Sequence, residues 1–145
     1  MKTSRDITAE IIALCNYAEF TQNGKFNIIG VYDQQNIDAA NNIWPGGFVV
    51  FTLKTPWKNK TRTVRLQIVN DENVYILNSV VTMNIGNNGK ANFLFGFSSL
   101  TVPSYGTFHI RLTDPNDDEA FIGETDVTFF QVTKGETNGQ KKLSS

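Results

Sequence analysis

Histidine and cysteine are almost missing from this chain of 145 residues; each occurs once, as His109 and Cys15. A single histidine removes every mechanism that needs two. A single cysteine cannot close an internal disulfide, which agrees with a reducing compartment. One histidine and one cysteine on different strands also argue against zinc. Cys15 stands among apolar strand neighbours and reads as a small buried hydrophobe rather than a nucleophile. No Gly-x-Ser-x-Gly elbow offers a serine to His109, and Pro45-Gly46-Gly47 leads into a strand rather than a helix, so it is no phosphate loop. A catalytic role is not expected.

Long hydrophobic runs are missing too: no segment approaches the ~18 apolar residues of a membrane span. Lys2 and Arg5 precede the apolar residues 11–15, but Asp6 and Glu10 interrupt them, and Leu14 rather than a small residue precedes the cysteine. Neither a secretory leader nor a lipoprotein site is expected, and the chain reads as cytoplasmic. Charge of one sign is also lacking, because 13 Lys and Arg face 14 Asp and Glu for a net charge of −1. That removes any global attraction to nucleic acid or an anionic membrane. The densest basic run, Lys58, Lys60, Arg62 and Arg65, lies beside a turn and along a strand edge and reads as solubilising.

Helix-period patterning does not occur; alternation at period two runs almost throughout. Strands are expected over 13–20, 26–33, 47–55, 63–69, 74–85, 91–97, 107–113 and 119–132, about eight in all. Val49, Phe51 and Leu53 share one face, as do Phe93, Phe95 and Phe97. Phe108, Ile110 and Leu112 point inward, leaving His109 and Arg111 outward. The fifth strand is expected to bulge near Asn78 and Ser79, and the last to be interrupted near Gly123. Leu100 and Val102 are expected to tuck under a crossover at 98–104. Asn23-Gly24 favours a type I′ turn, which sets Tyr17 opposite Gly30 and Cys15 opposite Tyr32. Residues 1–132 then form one domain, an all-β pair of packed antiparallel sheets, and the polar stretch 133–145 is expected to be disordered.

The opening "ALCNYAEF", "NGKFNIIGVYD" and the later pattern VPxxGxFxIxL within 100–112 resemble a family of small uncharacterised bacterial and phage-borne β-sandwich proteins. The resemblance implies a β-sandwich, immunoglobulin-like or C2-like, in preference to a barrel. It implies nothing about activity.

In an antiparallel sandwich successive connections alternate between the two ends. Counting strands puts the turns 22–25, 56–60, 87–90 and 114–118 at one end, with the loop 33–46 and the turn 70–73 at the other. Trp57, between Pro56 and Lys58, is evenly a partner-binding candidate or a cap on that open end, and Lys58 and Lys60 make a mixed-charge rim with Asp117 and Asp118. Trp44, in the long loop, could anchor a partner or cap the open end of the core; the cap is preferred. Asp114, Asn116, Asp117 and Asp118 are residue types that calcium favours, yet an ordinary turn needs the same ones, and the turn is preferred. The expected function is non-enzymatic: a binding or assembly module that takes a protein partner through its end loops. No cofactor, nucleic acid or membrane is expected, and homo-oligomerisation stays open. Two alternatives are a phage- or island-encoded accessory factor that sequesters a host protein or small ligand, and a weak calcium-binding domain.

Overall fold

Period-two alternation becomes nine strands in the structure, a computed structural model that describes residues 2–23 and 25–133. They are β1 Thr8–Phe20, β2 Phe26–Val31, β3 Gln34–Asp38, β4 Ile43–Lys54, β5 Thr61–Val69, β6 Tyr75–Asn84, β7 Lys90–Thr101, β8 Gly106–Asp114 and β9 Ala120–Val132. No helix occurs among the described residues. A four-stranded sheet has the order β2-β1-β4-β7, and a five-stranded sheet the order β3-β9-β8-β5-β6. Most of the tail expected at 133–145 lies outside the described residues.

All eight expected strands are present, and β3 is the addition. It lies parallel to β9, with Gln34 opposite Thr128 and Asp38 opposite Val132, so the pairing is not wholly antiparallel. The sequence Gln34-Gln35-Asn36-Ile37-Asp38 shows no alternation because an edge strand needs only backbone bonds and one anchor. Ile37, fully buried, is that anchor. The expected fourteen-residue loop thus shrinks to a short turn before β4.

That extra strand also adds one reversal, which corrects the assignment of ends. β1 runs opposite to β4, with Thr8 facing Lys54 and Cys15 facing Phe48. The turn after Phe20 therefore lies at the far end from the 55–60 connection, not beside it. The other two connections do meet there: Thr55 N donates to Gly89 O at 2.9 Å and Asn59 N to Gly86 O at 3.2 Å.

The first hairpin forms as expected but one residue out of register. Tyr17 faces Ile29 and Cys15 faces Val31. Thr21 N donates to Lys25 O at 2.7 Å, so three residues rather than two make the loop. Gly30 consequently meets Asn16; its φ is +71°, and a Cβ there would lie 2.5 Å from Asn16 Nδ2. Tyr17 instead packs edge-on against Phe48 at 5.6 Å. Phe48 in turn covers the cross-strand Gly96.

The core between the sheets joins Leu14, Phe51 and Leu53 to Leu66, Ile68, Ile110 and Leu112. Trp44 belongs to it and is 0 % exposed. This overturns Trp44 as an interface anchor. Its ring meets Phe97 at 4.5 Å and Phe129 at 4.9 Å, and its Nε1 donates to the Tyr32 hydroxyl at 3.1 Å. A second, smaller cluster of Cys15, Ala18 and Val50 packs with Phe48 and Leu94. Val50 and Phe48 alternate with Val49 and Phe51, so this cluster lies on the outer side of the four-stranded sheet.

β6 is bulged as expected, but at Ile76 rather than at Asn78 and Ser79: Ile68 faces Leu77 and its neighbour Val69 faces Tyr75, which leaves Ile76 unpaired. The interruption near Gly123 is present: the register slips between Leu112, opposite Gly123, and Thr113, opposite Phe121. A Cβ at Gly123 would lie 2.7 Å from the Ala9 Cβ, which marks where the two sheets close on each other. Val102 is buried and Leu100 packs on the core, but 98–101 continue β7, with Leu100 opposite Trp44, so the crossover is confined to 102–105.

Two outcomes follow from this packing. Trp44→Ala should cost about 4 kcal/mol in urea denaturation, as for other buried Trp-to-Ala truncations; a loss under about 1 kcal/mol would show that the indole is not part of the core. Burial pushes the Cys15 thiol pKa up, so a thiol reagent should label it slowly until denaturant is added. Rapid labelling of the native protein would contradict the buried second cluster.

Candidate functional site

At the end where β4 and β8 finish and β5 and β7 begin, three connections meet the first residues of the chain. Phe121 N donates to Lys2 O at 2.6 Å, and Ser4 N donates to Phe121 O at 2.8 Å. The resulting cleft of about 530 Å³ is lined by Lys2, Arg5 and Asp6, by Trp57 and Arg62, and by Asp114, Asn116 and Asp117.

Arg62, near the start of β5, is its centre. The guanidinium lies over the Trp57 ring, 4.3 Å from the centroid. Its Nη2 donates to Asp114 Oδ2 at 3.3 Å, and Asp114 is only 2 % exposed. A buried carboxylate needs such partners, because desolvation without them would cost several kcal/mol. The Asp114 Oδ1 accepts from Asn116 N at 2.9 Å. Arg62 Nε is buried with no hydrogen-bond partner, the one such side-chain atom among the described residues. Trp57 is half-buried against the core rather than free.

The acidic turn is built as a turn. Asp117 N donates to Asp114 O at 3.1 Å, and Ala120 N to Asp117 O at 2.9 Å. Asn116 Nδ2 donates to Thr63 Oγ1 at 3.0 Å. Lys2 bonds Asp117, whose carboxylate holds the ammonium above its usual pKa. Asp114 thus points at Arg62, Asp117 at Lys2 and Asn116 at Thr63, while Asp118 is exposed. These side chains diverge instead of converging on a cation.

Of the partner-binding candidates, Trp57 lines the cleft and Lys58 and Lys60 are exposed on the same connection without lining it. Asp71 lies at the opposite end, as the strand count requires, and bonds His109. Sequence reasoning missed Arg62 as the centre and missed Lys2, Arg5 and Asp6 entirely. Arg62 carried a signal, an arginine five residues after a loop tryptophan; the N-terminal residues carried none, since the pairing of Thr3 with Phe121 and the Lys2–Asp117 ion pair join segments more than 100 residues apart.

His109 lies on the outer face of the five-stranded sheet, as its alternation predicts, between two carboxylates. Its Nδ1 is 2.8 Å from Asp126 and its Nε2 is 2.7 Å from Asp71. Asp126 foremost, then Asp71 and the charge of Glu124, raise its pKa, with partial burial working against them.

Two sheets around one core, with a polar cleft closed by end connections, define an all-β two-sheet domain. The chain belongs to DUF6941, a family of unknown function, whose model matches residues 10–127. The cleft's N-terminal wall, Lys2 to Asp6, lies outside that match. No curated protein matches the chain. Among solved structures it is similar to a Bifidobacterium dentium β-glucuronidase complexed with coumarin-3-O-glucuronide, at 16 % identity and a TM-score of 0.38; the match covers 86 % of this chain and 18 % of that one. No described helix is long and apolar enough to cross a membrane.

Removing Arg62 strands a buried charge. Arg62→Ala should cost about 2 kcal/mol, below the ~3–5 of a fully buried pair because the guanidinium is partly exposed. Arg62→Ala combined with Asp114→Asn should recover part of that loss. Urea midpoints at unchanged m-value would read both, and additive losses would show that the two groups do not support each other.

Proposed function

We propose that this protein is a non-enzymatic binding module, a β-sandwich of bacterial or phage origin, that takes a protein partner in the cytosol through the end carrying Trp57. The strand order supports an immunoglobulin-like sandwich over a C2-like one. β1, β4 and β7 correspond to the A, B and E strands of that fold, and β9, β8, β5 and β6 to G, F, C and C′.

The observation that carries the reading is the Arg62–Trp57 stack at the floor of an open, polar, charge-mixed cleft. Arginine and tryptophan dominate interface hot spots when neighbouring groups hold them rigid. Pro56 and Thr55, whose hydroxyl accepts from Trp57 N at 3.3 Å, restrain the tryptophan. Lys58 and Lys60 on one side and Asp117 and Asp118 on the other provide a rim of both signs, which sets orientation and on-rate more than affinity. Enclosed apolar pockets suit small ligands; an open polar cleft suits the side chains of a protein.

The test is capture of partners from the native host by the full chain, with mass spectrometry. Lys58→Glu combined with Lys60→Glu should weaken the captured complex about tenfold with an unchanged melt. Trp57→Ala should cost about 2 kcal/mol of binding, together with a lower Tm because the ring also packs on the core. Full binding by both variants would refute the assignment to this end. Genes for tails or capsids beside this one favour assembly, and defence genes favour sequestration.

A further inference from the structure

On the outer face of the five-stranded sheet, β8 and β9 place His109 directly opposite Asp126, and Arg111 opposite Glu124. Glu124 and Asp126 are two residues apart on one strand and so share a face with the imidazole. Ligand atoms of His109, Glu124 and Asp126 all lie within 4.8 Å of one another. His109 Nδ1 is 2.8 Å from Asp126 Oδ1 and 3.8 Å from Glu124 Oε2. A cation bound at about 2.0–2.2 Å from each donor needs donor separations of roughly this size.

Two further features point the same way. Asp71 Oδ1 lies 2.7 Å from His109 Nε2. A carboxylate on that nitrogen takes its N–H, as in metal-ligating histidines, so that once the proton between Nδ1 and Asp126 leaves, the Nδ1 lone pair faces Asp126 and Glu124. Beside the two β9 carboxylates a cavity of about 390 Å³, which Asp33 also lines, leaves space for water or a further ligand.

We propose that His109 Nδ1, Asp126 and Glu124 form a site for one divalent cation of the zinc type, with Asp71 as the group that positions the histidine. One imidazole among carboxylates suits zinc and its first-row neighbours, whereas calcium prefers oxygen alone. Arg111 Nε holds Glu124 Oε1 at 2.9 Å, which leaves Oε2 for the metal. The nearby guanidinium charge weakens the site without blocking it. The cation displaces only the proton that His109 and Asp126 share.

Zinc chloride titrated into the full chain by calorimetry, and cobalt chloride followed by visible absorption, test this. One saturable equivalent is expected. His109→Ala and Asp126→Asn should each weaken binding about thirtyfold or more, and Asp71→Asn about tenfold. Arg111→Gln should tighten it. Metal-free melts of the variants establish that they are folded; if His109→Ala does not fold, Asp126→Asn carries the same test. No saturable equivalent, undiminished binding in both ligand variants, or displacement of zinc by a hundredfold excess of calcium would each overturn the proposal.

Discussion

A buried indole must find a partner for its N–H, and most of this fold is arranged around how Trp44 meets that demand. The ring stands between Phe97 of one sheet and Phe129 of the other, and Phe129 continues to Phe108 at 5.5 Å. Its hydrogen bond goes to Tyr32, at the corner between β2 and β3. Gly47 leaves room for that hydroxyl, since a Cβ there would lie 2.8 Å from it. The bond holds the corner where the chain leaves the four-stranded sheet. Next in sequence, β3 enters the five-stranded sheet beside β9, with Gln35 opposite Phe129. One aromatic contact therefore joins the sheets, and one hydrogen bond fixes where the chain crosses.

The two charged constellations follow from the same cost of removing polar groups from water. At one end, Asp114 is buried and so requires Arg62, whose guanidinium is in turn supported by Trp57. On the outer sheet face, His109 is mostly covered and is held by acidic groups from a turn and from a neighbouring strand. The first arrangement closes a corner of the core. The second leaves acceptor atoms facing solvent, with Glu124 shared between Arg111 and the histidine.

Much of this could be read from alternation alone. The strands that carry Val64 to Ile68 and Phe108 to Leu112 bury one face each, and period two reports such burial directly; Val49 to Leu53 is buried on both faces, so there alternation reported only the inner one. What alternation could not report is pairing across the chain. β3 is polar because only its backbone is needed, so its one buried residue, Ile37, left no pattern. Missing that single strand moved the first hairpin to the wrong end. The hairpin register depended on whether two or three residues turn, a difference Asn23-Gly24 does not decide. The histidine cluster escaped for a related reason: His109, Glu124 and Asp126 each look like ordinary outward residues until β8 and β9 are set in register.

The parallel pair of β3 and β9 joins segments about 90 residues apart, a separation that delays their meeting during synthesis. β3 leaves the ribosome when most of its sheet does not yet exist. Until β9 follows, Ile37 has no strand beside it and Trp44 has no Phe129 to rest on. The edge of β8 that pairs with β9 stays open for the same interval. A nascent chain halted before Ala120 would hold one complete sheet and one incomplete sheet with an unpaired edge, a state open to aggregation. β9 thus acts as the latch, and the domain reaches its native form only once Ala120–Val132 has been made.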